Sequence, residues 1–176
     1  RIGRRTYDLR HFDRIVAVGA GKASARMARA IEHILGTTLE QGLVVVKHGH
    51  RVSTKRITVF GTVHAPLFHP LIAAKEFVTA DHIGRGRFGL NIVCGWFTPE
   101  MEMFGAPQMA HDDRYRYAGE WIRVIKRLWT EQHFDHEGEF FRIKDGYLLP
   151  KPVQKPYPVL INAGRVWQGE CLVWGV

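Results

Sequence analysis

"RFGLNIVCGWFTPEMEMFGAPQMAHDDRYRYAGEWI" occupies Arg87 to Ile122. Phe88 to Val93 is a nearly unbroken apolar run, the pattern of a strand buried on both faces. It ends in Cys94-Gly95-Trp96, and a polar, acidic loop follows. His111-Asp112-Asp113-Arg114-Tyr115 then opens a helix, for which Asp112 is a good N-cap. Ala118, Trp121, Ile122, Ile125, Leu128 and Trp129 recur behind it at spacings of three and four, so one helical face is apolar. Strand, loop and helix together gather an amide, a carboxylate, a guanidinium and a phenol where a buried strand ends.

The same alternation extends in both directions. Upstream, His69-Pro70 starts a helix with Pro at its first position and Ala73, Ala74, Phe77 and Val78 as its apolar stripe. Gly84-Arg85-Gly86 turns that helix into the strand at Phe88. Downstream, "FDHEGEFFRI" predicts a hairpin turning at Glu137-Gly138. "PKPVQKPYP" predicts a passage over the surface, and Val159 to Ile161 a final strand. Near the N-terminus, Ile15 to Val18 predicts a strand closed by Gly19-Ala20-Gly21. The helix after it carries Met27, Ile31, Ile34 and Leu35 on one stripe and stops at Gly36. Leu43 to Val46 and Ile57 to Phe60 follow as strands. Strands alternating with helices predict an α/β fold with parallel strands.

The 176 residues are enough for one ordinary domain; 45% are apolar and 24% charged, a globular profile. No apolar run reaches the length of about 20 residues that a membrane helix needs. The chain starts without Met or an apolar leader and is expected to be a piece of something longer. Cys94 and Cys171 form no disulfide framework or metal-ligand pattern, which predicts idle thiols in a reducing compartment, the cytoplasm. Net charge is +8, and Arg1, Arg4, Arg5, Arg10 and Arg14 crowd the first fourteen residues. Aromatic residues are not interleaved with them, so nucleic acid is not the expected partner. A solvated basic end or affinity for a small phosphorylated ligand accounts for the charge.

Gly19-Ala20-Gly21-Lys22 sits where a strand meets a helix, and backbone N–H groups there attract phosphate. A P-loop would need Gly at Val16 and Ser or Thr at Ala23. A dinucleotide fingerprint would need Gly at Ser24. A tight strand-helix turn and a phosphate cradle both remain open. "VAVGAGKASARMARAIEHILG" with "QGLVVVKHGH" resembles the N-terminal part of MOFRL-type glycerate 2-kinases over about residues 7–58. That resemblance implies an active-site role for Lys22. Where such kinases continue with Gly-His-Pro-x-Pro-Asp, this chain reads "GTVHAPLFHP".

From about residue 61 to 164 the chain resembles the luciferase-like flavin-dependent monooxygenases. The likeness runs through "TVHAPLFHPLIAAKEFVTADHIGRGRFGLNIVCGW", "EMEMFG", "HDDRYRYAGEWIRVIKRLW", "FDHEGEFFRIKD" and "PKPVQKPYPVLINAG". It implies a TIM-barrel segment with its site at the C-terminal strand ends. It also implies FMN, supplied reduced by a separate NAD(P)H:flavin reductase, and oxygenation of a small organic substrate with O2. By this resemblance Asn91, Glu100, Arg114 and Tyr115 contact the flavin. Asn offers donor and acceptor to a ring edge, and Arg offers a fork of donors to an anion. Tyr115 suits a ribityl or phosphate oxygen, and Glu100 suits orienting Arg114 or accepting from a ribityl hydroxyl. His64 and His69 read as base or ligand or as structural residues, His64 near a strand end where it would line the pocket, and Trp96 and Phe97 read as pocket wall or packing.

Family members usually carry Ser after Asn-Ala-Gly. Here Arg165-Val166-Trp167-Gln168 follows, which implies an altered phosphate loop. The expected organisation is a glycerate-kinase-like, Rossmann-like βαβ segment at 1–60, a luciferase-like partial TIM barrel at 61–164 and a divergent tail at 165–176. The two pieces join near Val59 to Thr62 as a chimera. Its other readings are a kinase-like phosphotransferase fragment and an inactive chain that self-associates through exposed strand edges.

Overall fold

The computed structural model describes residues 6–46 and 54–162, and the backbone of 173–174. Arg1, Arg4, Arg5, Cys171 and the Arg165–Gln168 loop lie outside them. The chain divides into two compact units, Arg1–Phe60 and Gly61–Val176.

In unit 1, strand β1 (Val16–Ala20) leads through the glycine turn into helix α1 (Ser24–Leu35), and strand β2 (Gln41–Val46) returns parallel to β1. Val16 faces Gln41 in this ladder and Ala20 faces Val45. Gly36, at φ 55°, closes α1 and donates its N–H to the Glu32 carbonyl. The buried stripe of α1 differs from the expected one. Ala25 and Ala28, with Ile31 and Leu35, face Leu39, Val44, Val46, Ile57 and Val59. Met27 and Ile34 are 62% and 76% exposed. Each stands one position before a stripe residue, about 100° around the helix. The small alanines, not the largest apolar side chains, define the face that meets the strands.

Strand β3 (Ile57–His64) is longer than the expected run and carries the chain from unit 1 into unit 2. Unit 2 continues with α2 (Pro70–Gly84), β4 (Phe88–Val93), a short α3 (Thr98–Met103) and α4 (His111–Thr130). It ends with the hairpin β5 (Phe134–Glu137) and β6 (Arg142–Gly146), then β7 (Val159–Asn162) and β8 (Val173–Trp174). The strand order is β3-β4-β7-β8, with the hairpin as a separate pair. β4 and β7 are parallel, Gly89 opposite Val159 and Ile92 opposite Asn162, while β8 adds antiparallel. The fold is thus α/β with a parallel sheet, as expected. All six residues of β4 are buried.

Against these strands pack Ala73, Ala74, Phe77 and Val78 of α2, and Ala118, Trp121, Ile122, Ile125, Leu128 and Trp129 of α4, the two stripes read from the sequence. Trp121 Nε1 donates to the Phe68 carbonyl at 2.7 Å and Trp129 Nε1 to the Ala74 carbonyl at 3.2 Å, so neither indole is buried unsatisfied.

Four local expectations change. Asp112 lies inside the first turn of α4 and Ala110 is the N-cap; the Asp112 carboxylate meets His111 Nδ1 at 2.9 Å instead of a backbone amide. Glu137 is still paired with Arg142, and the hairpin turns through Gly138 to Phe141. The proline-rich passage is anchored rather than draped. Fully buried Asp81 accepts from the Val153 amide at 2.7 Å and from Gln154 Nε2 at 2.6 Å. Finally, β7 includes Asn162, and β8 follows it in the same sheet. Among the described residues no helix is long and apolar enough to cross a membrane.

Candidate functional site

Because β4 and β7 are parallel, both C-terminal ends open on one side of the sheet of unit 2. Polar side chains collect there. Asn91, 6% exposed, donates Nδ2 to Thr62 Oγ1 on β3 at 3.2 Å, and its Oδ1 is buried without a partner. One strand over, Asn162 Nδ2 approaches Cys94 Sγ at 3.7 Å, and its Oδ1 is also unpartnered. Burial pushes the Cys94 thiol up, against weaker downward pulls from the Asn162 bond and the Arg114 charge. A thiol kept neutral is a poor nucleophile.

Gly95 turns the chain out of β4 with φ 77°. A Cβ there would lie 3.1 Å from Pro66 Cγ and 3.2 Å from Met101 Sδ, so glycine serves both the conformation and the close approach. Its carbonyl accepts from Arg114 Nη1 at 2.8 Å and Gln108 Nε2 at 3.0 Å. That pair of bonds ties the start of α4 to the exit of β4. Arg114 Nε is buried and unpartnered. At the end of β3, His64 Nδ1 lies 3.5 Å from Glu100 Oε2 and makes no hydrogen bond.

Arg114 and Asn162 come together at the exit of β4 through Gly95 and Cys94, whereas Asn91, one residue out of step with Asn162 in the β4–β7 register, points to the opposite face of the sheet beside Thr62. Glu100 lies on α3 rather than in a loop, and it faces His64; the Gly95 carbonyl, not Glu100, orients Arg114. Tyr115 is turned elsewhere, because consecutive helical residues point about 100° apart. Its ring sits 4.8 Å from the His111 ring, and it lines a groove of about 870 Å³ with Arg116, Glu120, Arg123 and His136. His69 is structural: its Nδ1 caps α2 by accepting from the Leu71 amide at 3.3 Å, and its ring stands edge-on to Phe141. Trp96 and Phe97, 71% and 47% exposed, are neither core nor enclosed wall; they lean on each other with centroids 5.5 Å apart. Thr62, Gln108 and Asn162 were not anticipated. The available signal for Asn162 was a polar amide terminating an apolar strand.

The buried carboxylate of Glu120 is a useful contrast. His136 Nε2 lies 2.9 Å from Oε1, and the Phe141 and Phe140 amides donate at 2.9 and 3.1 Å. Burial pushes this carboxyl up, but the bonds from His136 and the two amides outweigh it and hold it below the usual range. Glu120 is fully engaged in pinning the hairpin to α4. The strand-end groups are only partly engaged: Asn91 Oδ1, Asn162 Oδ1 on the opposite sheet face, Arg114 Nε and His64 Nδ1 have no hydrogen-bond partner among the described residues. Leaving a buried polar group unpaired costs about 1–3 kcal/mol, so the arrangement suits a ligand with its own donors and acceptors. Among the described residues no cluster of His, Cys, Asp and Glu suits a metal.

Comparison with known proteins gives the cluster a family context. Residues 52–169, more than half of the chain, match the family model described as luciferase-like monooxygenase, and residues 1–83 match one described as a domain of unknown function, DUF4147. The FMNH(2)-dependent dimethylsulfone monooxygenase of Pseudomonas putida is 36% identical over 69% of this chain and 33% of its own. The pyrimidine monooxygenase RutA of Agrobacterium fabrum is 38% identical over 65% of this chain and 30% of its own. The chain thus spans about a third of the length of these curated relatives. The crystal structure of monooxygenase RslO1 from Streptomyces bottropensis superposes with a TM-score of 0.66 at 20% identity, covering 83% of this chain and 53% of that one. That likeness concerns the fold.

Proposed function

The chain belongs to the luciferase-like monooxygenase family, and from that membership we propose that unit 2 binds FMN at its strand-end cluster and serves flavin-dependent oxygenation of a small organic molecule. Three polar atoms with no hydrogen-bond partner among the described residues, Asn91 Oδ1, Arg114 Nε and His64 Nδ1, support this reading. They fit a flavin, whose ring edge and side chain present alternating donors and acceptors. When bound, reduced flavin supplies the electrons for reaction with O2; the chain binds, orients and shields it.

In this reading Asn91 accepts from a ring or ribityl donor, and Arg114 donates to an anionic or carbonyl oxygen. Glu100 acts through His64, and Tyr115, turned into the groove beside Glu120, takes no part. The two relatives named act on dimethylsulfone and on pyrimidines, which places small, compact substrates in view here. Reduced FMN comes from a separate NAD(P)H:flavin reductase in the cytoplasm. A chain that holds only part of a barrel is expected to self-associate.

Titration of FMN while following flavin fluorescence tests the proposal. Saturable quenching at micromolar flavin, weakened at least ten-fold in Arg114→Gln, is expected. Absence of quenching at that concentration reduces the family membership to ancestry.

A second reading concerns unit 1 as a glycerate-kinase-like βαβ segment fused to a luciferase-like one, with the tail from 165 belonging to neither. The observation in its favour is an exposed Lys22 in the turn that joins β1, a strand parallel to β2, to α1. ATP-dependent loss of glycerate that vanishes in Lys22→Ala is its test.

A further inference from the structure

The positive charge of the chain finds a second use at the other end of α1, roughly 18 Å along a 12-residue helix from the Lys22 turn. A cavity of about 620 Å³ is lined there by Arg29, Glu32, His33, Gly36, Lys55 and Arg56, together with Thr37. This volume lies in the range of small-molecule sites, about 300–1,000 Å³. Arg29, Glu32, His33 and Gly36 fall on one helical face by their spacing of three and four. The opposite rim is held rigidly. Glu32 accepts from the amides of Lys55 at 2.7 Å, Arg56 at 2.5 Å and Ile57 at 2.9 Å. Thr54 Oγ1, in a buried side chain, donates to the Ile57 carbonyl at 2.5 Å.

The charge balance decides what this cavity prefers. Three cations, Arg29, Lys55 and Arg56, face one carboxylate, and three amides already engage that carboxylate. The C-terminus of α1 adds about half a negative charge. An excess of about one and a half positive charges remains, before any contribution from His33. Arg29, Lys55 and Arg56 form no side-chain hydrogen bond or ion pair among the described residues. Among the described residues no aromatic ring other than the His33 imidazole lines the cavity, so none of them stacks on a nucleobase there.

We infer that this basic cavity of unit 1 binds a compact, multiply charged phosphate-bearing small molecule, held between Arg29 on α1 and the Lys55-Arg56 turn. The inference is independent of the flavin reading.

Calorimetric titration of the full chain with inorganic pyrophosphate, at low and at physiological salt, is the test. Binding should weaken at least ten-fold in Arg29→Gln and in Arg56→Gln, less in Arg56→Lys, and at higher salt. It should stay within two-fold in Lys22→Ala. All three arginine substitutions fall on exposed side chains, so unchanged thermal midpoints should accompany the loss. No binding at millimolar pyrophosphate overturns the inference, as does binding indifferent to both arginines. Loss in Lys22→Ala moves the site to the glycine turn. Tight binding of duplex DNA with the same arginine dependence, and none of pyrophosphate, makes the patch a nucleic-acid surface and rejects the small-molecule reading.

Discussion

In unit 1 the polar groups that the fold draws inward are satisfied. Ser24 Oγ donates to the Gly21 carbonyl at 2.7 Å, Thr54 reaches the Ile57 carbonyl, and Glu32 holds three amides. In unit 2, Asp81 and Glu120 are equally well satisfied, yet four buried polar atoms at the strand ends are not. The difference separates polar groups that build the fold from polar groups held ready for something else. The cores differ as well. Unit 1 buries alanines and aliphatic side chains and leaves Val16 and Val18 of β1 48% and 79% exposed. Unit 2 encloses Trp121, Trp129, Phe77 and Phe88. Strain tolerated at the cluster needs such a core behind it.

Removing that core should have the largest effect. Trp121→Ala deletes a fully buried indole and its bond to Phe68, and is expected to destabilise unit 2 by about 3–5 kcal/mol. Urea unfolding followed by hydrogen exchange should show the loss in unit 2 and leave α1 and β2 unchanged; an equal loss in both units would erase the distinction between them.

Glu120→Gln should come next, at about 2–4 kcal/mol, because a charged acceptor of three bonds becomes a neutral one. Its pH dependence has a definite sign. The folded Glu120 pKa lies below its ordinary value, so its stabilisation is complete above the unfolded value of about 4.3 and drains away as pH falls through the lowered folded value. Acid titration of stability should be shallower in Glu120→Gln than in the parent chain; parallel curves would remove Glu120 from this role.

In unit 1, Glu32→Gln should cost about 1–2 kcal/mol and loosen only the turn at 54–57, measurable as faster exchange of the Lys55 to Ile57 amides. The smallest stability effect is expected at the cluster itself. Asn91→Leu removes an unpaired acceptor along with one bond to Thr62, so stability should change by less than about 1 kcal/mol. Flavin binding should nonetheless fall at least ten-fold. A large loss of stability with intact binding would class Asn91 with Glu120.

Much of unit 2 was legible in the sequence because its periodicities are strong. The α2 and α4 stripes, the β4 run and Pro70 at the start of α2 follow from local rules, as does Gly36 at the end of α1 in unit 1. In α1, Met27 and Ile34 misled because side-chain size is a weaker guide than fit, and two alanines let the helix lie close to its strands. Site residues were legible only where position in an element sufficed. Arg114 reaches the exit of β4 because the Gly95 carbonyl ties the helix start to it. Tyr115 diverges by one helical step, a rotation that adjacency in sequence conceals. Glu100 is expected to orient Arg114 or to accept from a ribityl hydroxyl; its place on α3 turns it to His64 and away from the first of these. Register with Ile92 on β4 puts Asn162 beside Cys94, on the face opposite Asn91, and register is a property of pairing that one strand's sequence does not contain.

Amide hydrogen exchange of the full chain with and without FMN tests the assignment most directly. The account predicts added protection at the ends of β4 and β7 and the start of α4, around residues 91–95, 111–115 and 160–162, with β1, α1 and β2 unaffected. Protection confined to unit 1, or none at saturating flavin, would contradict it.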